Sequence, residues 1–188
     1  MDKSANDAEL IARSLKGEDA AFTVLMQRHK EKLYRFIRRY VGDRDESYDV
    51  LQESFLAAWN ALERYNADKP FSAWLYRIAL NKCRDWSRRR LVRKWLTHSD
   101  SIDDEAGLAL IDDHLLPDAV QEERQKLQRL DKAIAALPKG LKEPLILTAF
   151  DGCSHEEAAT ILKLTVKAVE VRVYRARKIL AKKLQVSD

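Results

Sequence analysis

The side chains best suited to chemistry lie close together near the end of the chain. Lys167, Glu170, Val171, Arg172, Tyr174, Arg175 and Lys178 share one short helical stretch with Arg177. Ammonium groups hold phosphates as point charges, and a guanidinium fork can take a phosphate or the edge of a guanine through two parallel bonds. The same stretch keeps an apolar seam, because Val169, Val173, Ala176 and Leu180 follow at intervals of four, three and four. Such a helix can be held down on one side while its cationic arc faces a polyanion.

The residues before it supply the brace. Ser154 followed by Glu157 forms a capping box, worth about 1 kcal/mol. The helix it starts buries Ala158, Ile161 and Leu162, Lys163-Leu164 turns the chain, and Thr165 caps the basic helix. Two short helices with a tight turn and a cationic outer face read as a helix-turn-helix. A lone basic helix would more simply be a solvated face. Here two caps, the turn and the seam all agree with the charge.

A second candidate surface lies in the first half. Tyr65, Phe71, Trp74 and Tyr76 are interleaved with Lys69, Arg77, Lys82 and Arg84, and between Arg77 and Lys94 eight basic residues face a single acid, Asp85. Aromatic faces among cations suit single-stranded nucleic acid, where stacking returns roughly 1–3 kcal/mol per base. Trp74 and Ile78 are assigned to the core.

These surfaces must be positioned by helices. Gly (5) and Pro (4) are scarce, which disfavours a turn-rich β architecture and points to an all-α chain. Residues 20–40 keep a helical period through Phe22, Leu25, Met26, Leu33, Phe36, Ile37 and Tyr40, and Gly42 with Asp43 breaks it. A second helix sets Leu51, Phe55, Trp59 and Leu62 toward a core and leaves Asp49, Gln52, Glu53 and Asn60 outside. Pro70 ends the following loop, and a third helix begins at Pro70, Phe71 or Ser72. From Gln125 the period resumes with Leu127, Leu130, Ile134 and Leu137, turns at Pro138-Lys139-Gly140, and continues from Leu141 to Phe150 before Asp151-Gly152.

Charge divides the chain in three. Residues 1–95 carry a net +6, residues 96–125 a net −8, and residues 126–188 a net +6, within a total of +4. Two basic blocks point to polyanion partners, and the acidic joint reads as a linker. Its apolar residues Leu108, Leu110, Ile111, Leu115 and Leu116 suggest that parts of it dock. The start is polar and acidic, not a secretory signal, and no apolar run is long enough for a bilayer, so a cytoplasmic chain without membrane insertion is expected. Cys83 and Cys153 lie in different blocks and read as small buried residues, not a disulfide. The four histidines form no ligand spacing, so neither a metal nor a cofactor is expected.

Both basic blocks resemble one known family. Residues 136–180, from ALPKGL to the helix-turn-helix, are similar to region four of the extracytoplasmic-function sigma factors of bacterial RNA polymerase. Residues 21–86, with DVLQESF and YNADKPF, resemble region two. The resemblance implies three parts: region two over residues 5–95, an acidic linker over 96–125 and region four over 126–185. It implies core polymerase as partner through its largest-subunit clamp helices and flap, with Asp49, Gln52 and Glu53 on the clamp contact. It also implies promoter DNA. Tyr65, Asn66, Lys69, Phe71, Arg77, Asn81, Arg84 and Arg88 would meet the minus-10 element, where the loop and Asn81 hold a flipped base. Lys167, Glu170, Val171, Arg172, Tyr174, Arg175 and Lys178 would meet the minus-35 element. An anti-sigma factor is the restraining partner that the family implies, holding the chain near the membrane, with a role in a stress or envelope response.

The sequence departs from the family pattern at Glu170, often a cation there, and at Lys163, where the turn often has Gly. Glu170 therefore implies an altered preference at one base pair. The acidic linker either threads the polymerase's RNA channel or serves as a solvated spacer. A regulator with a ligand-sensing domain is the rival reading, and an enzyme is weaker still. The chain has no phosphate-binding glycine loop, two-histidine zinc motif or activated nucleophile.

Overall fold

The computed structural model describes residues 5–96 and 118–185. The helices are α1 (Asp7–Leu15), α2 (Asp19–Val41), α3 (Arg44–Asn60), α4 (Phe71–Leu96), α5 (Asp118–Ala135), α6 (Lys139–Leu145), α7 (His155–Leu162) and α8 (Val166–Gln185). A 3₁₀ turn, Leu62–Arg64, follows α3, and a π-helical turn, Ile146–Phe150, extends α6. Among the described residues every regular element is helical.

α1 is a helix that the apolar period starting at residue 20 did not reveal. Its signals are nonetheless present: Asn6 caps it by accepting from the Glu9 amide at 2.9 Å, and Leu10 and Ile11 are buried. Asp7 then ties α1 to α2 through Arg28 at 2.6 Å and His29 at 2.8 Å. α2 ends at Gly42, whose φ of 91° supplies the left-handed C-cap. Asp43 starts α3 by accepting from the Glu46 amide.

The first core is aromatic and deep. Phe36, Ile37, Tyr40, Leu25, Leu33, Leu75 and Leu80 are almost wholly buried, and Phe36 meets Tyr76 edge-on at 5.3 Å. Trp59, placed in the α3 stripe by spacing, is 36% exposed, although its ring lies 4.8 Å from that of Phe22. α4 starts at Phe71, and the Pro70 carbonyl accepts from the Trp74 amide, which settles the boundary left open above.

The second core is aliphatic: Ile134, Leu137, Leu145, Ile146, Leu147, Ala158, Ile161, Val169, Val173, Ala176 and Leu180. α5 begins at Asp118, so the end of the acidic stretch is helical; the remaining apolar anchors Leu108, Leu110, Ile111, Leu115 and Leu116 lie outside the described residues. Leu127 is exposed, and Ala159 is buried where Leu162 is only partly so. Pro144 inside α6 removes one backbone donor, and the helix widens into the π turn just beyond it.

The two helical units touch. α5 and the π turn rest on α2, and α7 rests on α4, so one continuous apolar core spans both.

Candidate nucleic-acid and polymerase interfaces

The helix-turn-helix is built as its sequence dictates. Ser154 and Glu157 complete the reciprocal capping box, with bonds of 3.1 and 2.8 Å. Lys163 closes α7 in the left-handed region, φ 56° and ψ 48°, the conformation that Gly would take at least cost. Thr165 caps α8 by accepting from the Ala168 amide at 3.2 Å. Val169, Val173, Ala176 and Leu180 are all buried, so the seam fixes the rotation of α8.

That rotation sets the outer face. Tyr174 is 68% exposed, and Arg175, Arg177 and Lys178 stand in solvent, with Val171 partly so. Lys167 bonds Glu170 at 3.1 Å, an exposed pair that neutralises the one acid on this face. Arg172 is half-buried and turned back toward α6: a Cβ built on Gly140 would sit 3.7 Å from its guanidinium. Arg175 and Tyr174 are therefore the freest candidates for reading a base edge.

The first unit gathers its candidate residues around the loop before α4 and along that helix. The Tyr65 hydroxyl donates to the Lys69 carbonyl, and Asn66 accepts from the Asp68 amide at 2.8 Å, which folds the loop tightly. Phe71 is 4% exposed, packed between Tyr65, Trp74 and His29, so it shapes the loop from below and cannot itself meet a base without leaving the core. Asn66, Lys69, Asn81 and Arg88 are exposed, and Arg88 pairs with Asp85 one turn before it. Arg77 keeps its Nε buried without a hydrogen-bond partner among the described residues.

Arg84 is committed elsewhere. Its Nε and a terminal amine donate to both oxygens of Glu143, from α6 of the other unit, at 2.9 and 2.6 Å. Those bonds hold the guanidinium more firmly charged than usual. The Tyr40 hydroxyl lies 3.3 Å from the same carboxylate, and burial pushes its phenol upward. Lys142, next in the chain, donates to the Tyr40 carbonyl at 3.2 Å and sits 4.2 Å over its ring, while burial lowers its ammonium. Spacing alone did not bring these residues together.

On α3, Asp49 and Gln52 are exposed, whereas Glu53 is held by Lys82 at 3.7 Å and Arg89 at 3.2 Å, and Glu46 by Arg93 at 3.4 Å. Glu53 thus braces α3 against α4. Beside Gln52 lies an apolar groove of about 420 Å³ lined by Phe22, Met26, Tyr48, Phe55, Leu56 and Trp59. Periodicity assigned Phe55 and Trp59 to the core, and so missed this groove. Leu56, exposed one turn after Gln52, was its signal.

Both cysteines are free thiols. Burial pushes Cys83 well above its ordinary value and Cys153 up to about 11, so neither is poised as a nucleophile near neutral pH. Among the described residues no group of acids, histidines or cysteines could hold a metal ion, and no helix is long and apolar enough to cross a membrane.

Two family descriptions match the chain: Sigma-70 region 2 over residues 25–104 and Sigma-70, region 4 over residues 127–180. The RNA polymerase sigma factor CnrH of Cupriavidus metallidurans is 38% identical over 178 residues, covering 94% of this chain and 93% of that one. The chain belongs to the extracytoplasmic-function sigma factors. The ECF RNA polymerase sigma-E factor of Escherichia coli is 32% identical, covering 98% of this chain and 97% of its own length. The solved structure of CnrH in complex with the cytosolic domain of CnrY superposes with a TM-score of 0.71 at 34% identity, covering 95% of this sigma factor and 97% of that chain. Sigma factors are non-catalytic specificity subunits, so the nucleotide chemistry belongs to the polymerase.

Proposed function

We propose that this sigma factor joins core RNA polymerase, selects promoters through two DNA elements and opens the downstream one. Residues 5–95 act as region 2, 96–125 as the acidic linker and 126–185 as region 4. The observation that carries the reading is the completed helix-turn-helix with its cationic arc clear of the fold: Tyr174, Arg175 and Lys178 are exposed while the opposite seam is buried. A major groove admits such a helix.

The parts divide the work by chemistry. Asp49 and Gln52, with the apolar groove beside them, offer polymerase an acidic and apolar docking face, and Glu53 stiffens it through α4. Arg175, Tyr174, Val171 and Glu170 read the minus-35 duplex; Lys167, Arg172 and Lys178 set register on its phosphates. The Tyr65–Phe71 loop and Asn81 receive an unstacked base of the minus-10 element, with Lys69, Arg77, Arg84 and Arg88 along the strand. Extruding a base costs a few kcal/mol, which stacking and hydrogen bonds in such a pocket offset. The factor works in the bacterial cytoplasm and is restrained by an anti-sigma factor in an envelope or stress response. The solved complex of its relative CnrH with a cytosolic domain supports a protein partner of that kind.

Run-off transcription with core enzyme on a genomic promoter library tests the whole reading. Start-site selection that disappears without this chain supports it, and core that never gains selectivity ends it. Asn81→Ala tests the melting role: open-complex formation should fall about tenfold or more while core binding holds, and equal losses would remove Asn81 from the pocket.

A further inference from the structure

The loop assigned to the unstacked base rests on a floor of three rings. Phe71 lies 5.7 Å from Tyr65 and 5.6 Å from Trp74, and Tyr65 lies 5.3 Å from Trp74. Phe71 opens α4 and is 4% exposed, so the residue that ends the loop is also part of its floor. A site for one base needs its lining groups held within about 0.5 Å. Whatever fixes Phe71 therefore bears on what the loop can hold.

His29 of α2 meets Phe71 edge-on at 5.3 Å, and only 14% of its side chain is exposed. Its Nε2 lies 2.8 Å from Oδ2 of Asp7. An ionised carboxylate can only accept, so Nε2 carries the proton and donates, which fixes the rotation of the ring. The other Asp7 oxygen accepts from Arg28 at 2.6 Å, and Arg28 also donates to the Ala5 carbonyl at 2.7 Å. These bonds pin the first turn of α1, which lies against α2 and against the 3₁₀ turn that leads into the loop. Tyr65, the first residue past that turn, feels the same acid: burial, and then the Asp7 charge, raise its phenol. Asp7 thus reaches the loop by two routes, one through His29 and Phe71 and one past the turn to Tyr65.

We infer that Asp7 and His29 are positioning residues of promoter opening, which set the floor of the base pocket through Phe71 and make α1 a working part of the minus-10 site. This rests on the reading of the Tyr65–Phe71 loop as that pocket. It adds two residues that touch no DNA yet decide how well the loop holds one base.

The test compares holoenzymes on a promoter taken from the run-off library and on copies carrying one abasic site at each minus-10 position of the non-template strand. Open complexes are read by permanganate reactivity. His29→Ala should slow opening of the intact promoter about tenfold, the upper end of what one aromatic pair contributes. The parent should lose a similar factor at the one abasic position whose base enters the pocket, and there parent and variant should become equal. A helix merely loosened would cost the same on every template. His29→Phe, which keeps a ring against Phe71, should recover most of the loss. Asp7→Ala, which leaves the His29 ring but frees its rotation, should slow opening about threefold, and it keeps the test valid if His29→Ala folds poorly. Core binding and minus-35 duplex binding should stay within about twofold throughout.

Unchanged opening in whichever of these two alanine variants folds overturns the inference, as does a loss of equal size at every abasic position. If the parent is indifferent to every abasic site, the pocket reading falls and takes this inference with it. If the parent is sensitive at one position, and Asn81→Ala loses that sensitivity while His29→Ala keeps it, the pocket stands and only the positioning role falls.

Discussion

On α8 of region 4 the cations stand clear of the fold, whereas on α4 of region 2 they are held by it. Arg175 and Lys178 face solvent beside an exposed Tyr174. Arg84 is bound to Glu143, Arg88 to Asp85 and Arg89 to Glu53, and the Nε of Arg77 is buried. The two blocks carry equal net charge in sequence, so charge alone does not separate them. Packing does. A narrow aliphatic seam on α8 leaves most of that helix free, while α4 is gripped by α2, α3 and α7. The cations of α8 are thus open to a partner, and those of α4 are already paired within the fold.

The seam between the regions gives the largest way to break this contrast. Asp151 closes the π turn of region 4 among Arg35 and Arg39 of α2, Tyr76 of α4 and the thiol of Cys153. One of its oxygens is buried without a hydrogen-bond partner among the described residues, and burial raises its carboxyl to about 7 against the two arginines. The folded chain therefore binds a proton that the unfolded chain has lost between about pH 4 and pH 7, so stability falls as pH rises through that window and levels off above it. The cost at pH 8 is on the order of 2–4 kcal/mol. Asp151→Asn should flatten the dependence and raise the denaturation midpoint at pH 8, read by urea titration from pH 5 to 8. An unaltered slope would assign the dependence to another group.

Arg175 and Arg172 sharpen the contrast within region 4. Arg175→Ala should lower affinity for minus-35 duplex by roughly 5- to 150-fold and relax discrimination at one base pair, the range for a lost bidentate contact. Arg172→Ala should cost less and change discrimination little, because that guanidinium is turned toward Gly140. Competition binding on a duplex library measures both. A larger loss at Arg172 would mean that α8 meets DNA in a different rotation.

Local signals carried the helix-turn-helix into the sequence almost whole: the caps, the turn and the seam involve residues at most a few positions apart. The α3 face was half legible. Asp49 and Gln52 are exposed as their spacing implies, but Glu53 answers to Lys82 and Arg89 on another helix. α1 went unread because its apolar residues are few, although Asn6 and Leu10 mark it. Least legible was Arg84 with Glu143, separated by 59 positions. Nothing local distinguishes a cation awaiting phosphate from one already paired, and only the approach of α6 to α4 decides it.

Smaller effects test how finely region 4 is made. Lys163 holds a left-handed conformation that disfavours any residue with a Cβ, and its side chain is exposed. Lys163→Gly should stabilise the fold by about 0.5–1 kcal/mol, a rise of about 1–4 °C in Tm, with minus-35 binding within about twofold. A lower Tm would show that the ammonium contributes more than the turn costs.

Glu170 is the finest probe, because it is the one acid in α8. Lys167 holds its carboxylate at 3.1 Å, but the pair is exposed and worth only about 0.5 kcal/mol. DNA can displace it at little cost. A carboxylate so placed can accept from the amino group of cytosine and cannot accept from a guanine oxygen, whereas a lysine reverses that choice. Glu170→Lys should therefore change the preferred base at one position of the upstream element and leave the others intact, as read by selection from a randomised duplex library. It should also steepen the fall of affinity with salt by about one unit, since a phosphate-repelling group becomes a phosphate-binding one. If the preferred sequence is unchanged while the salt slope steepens, Lys167 keeps Glu170 off the bases in the complex as well, and the face reads sequence through Arg175 and its neighbours alone.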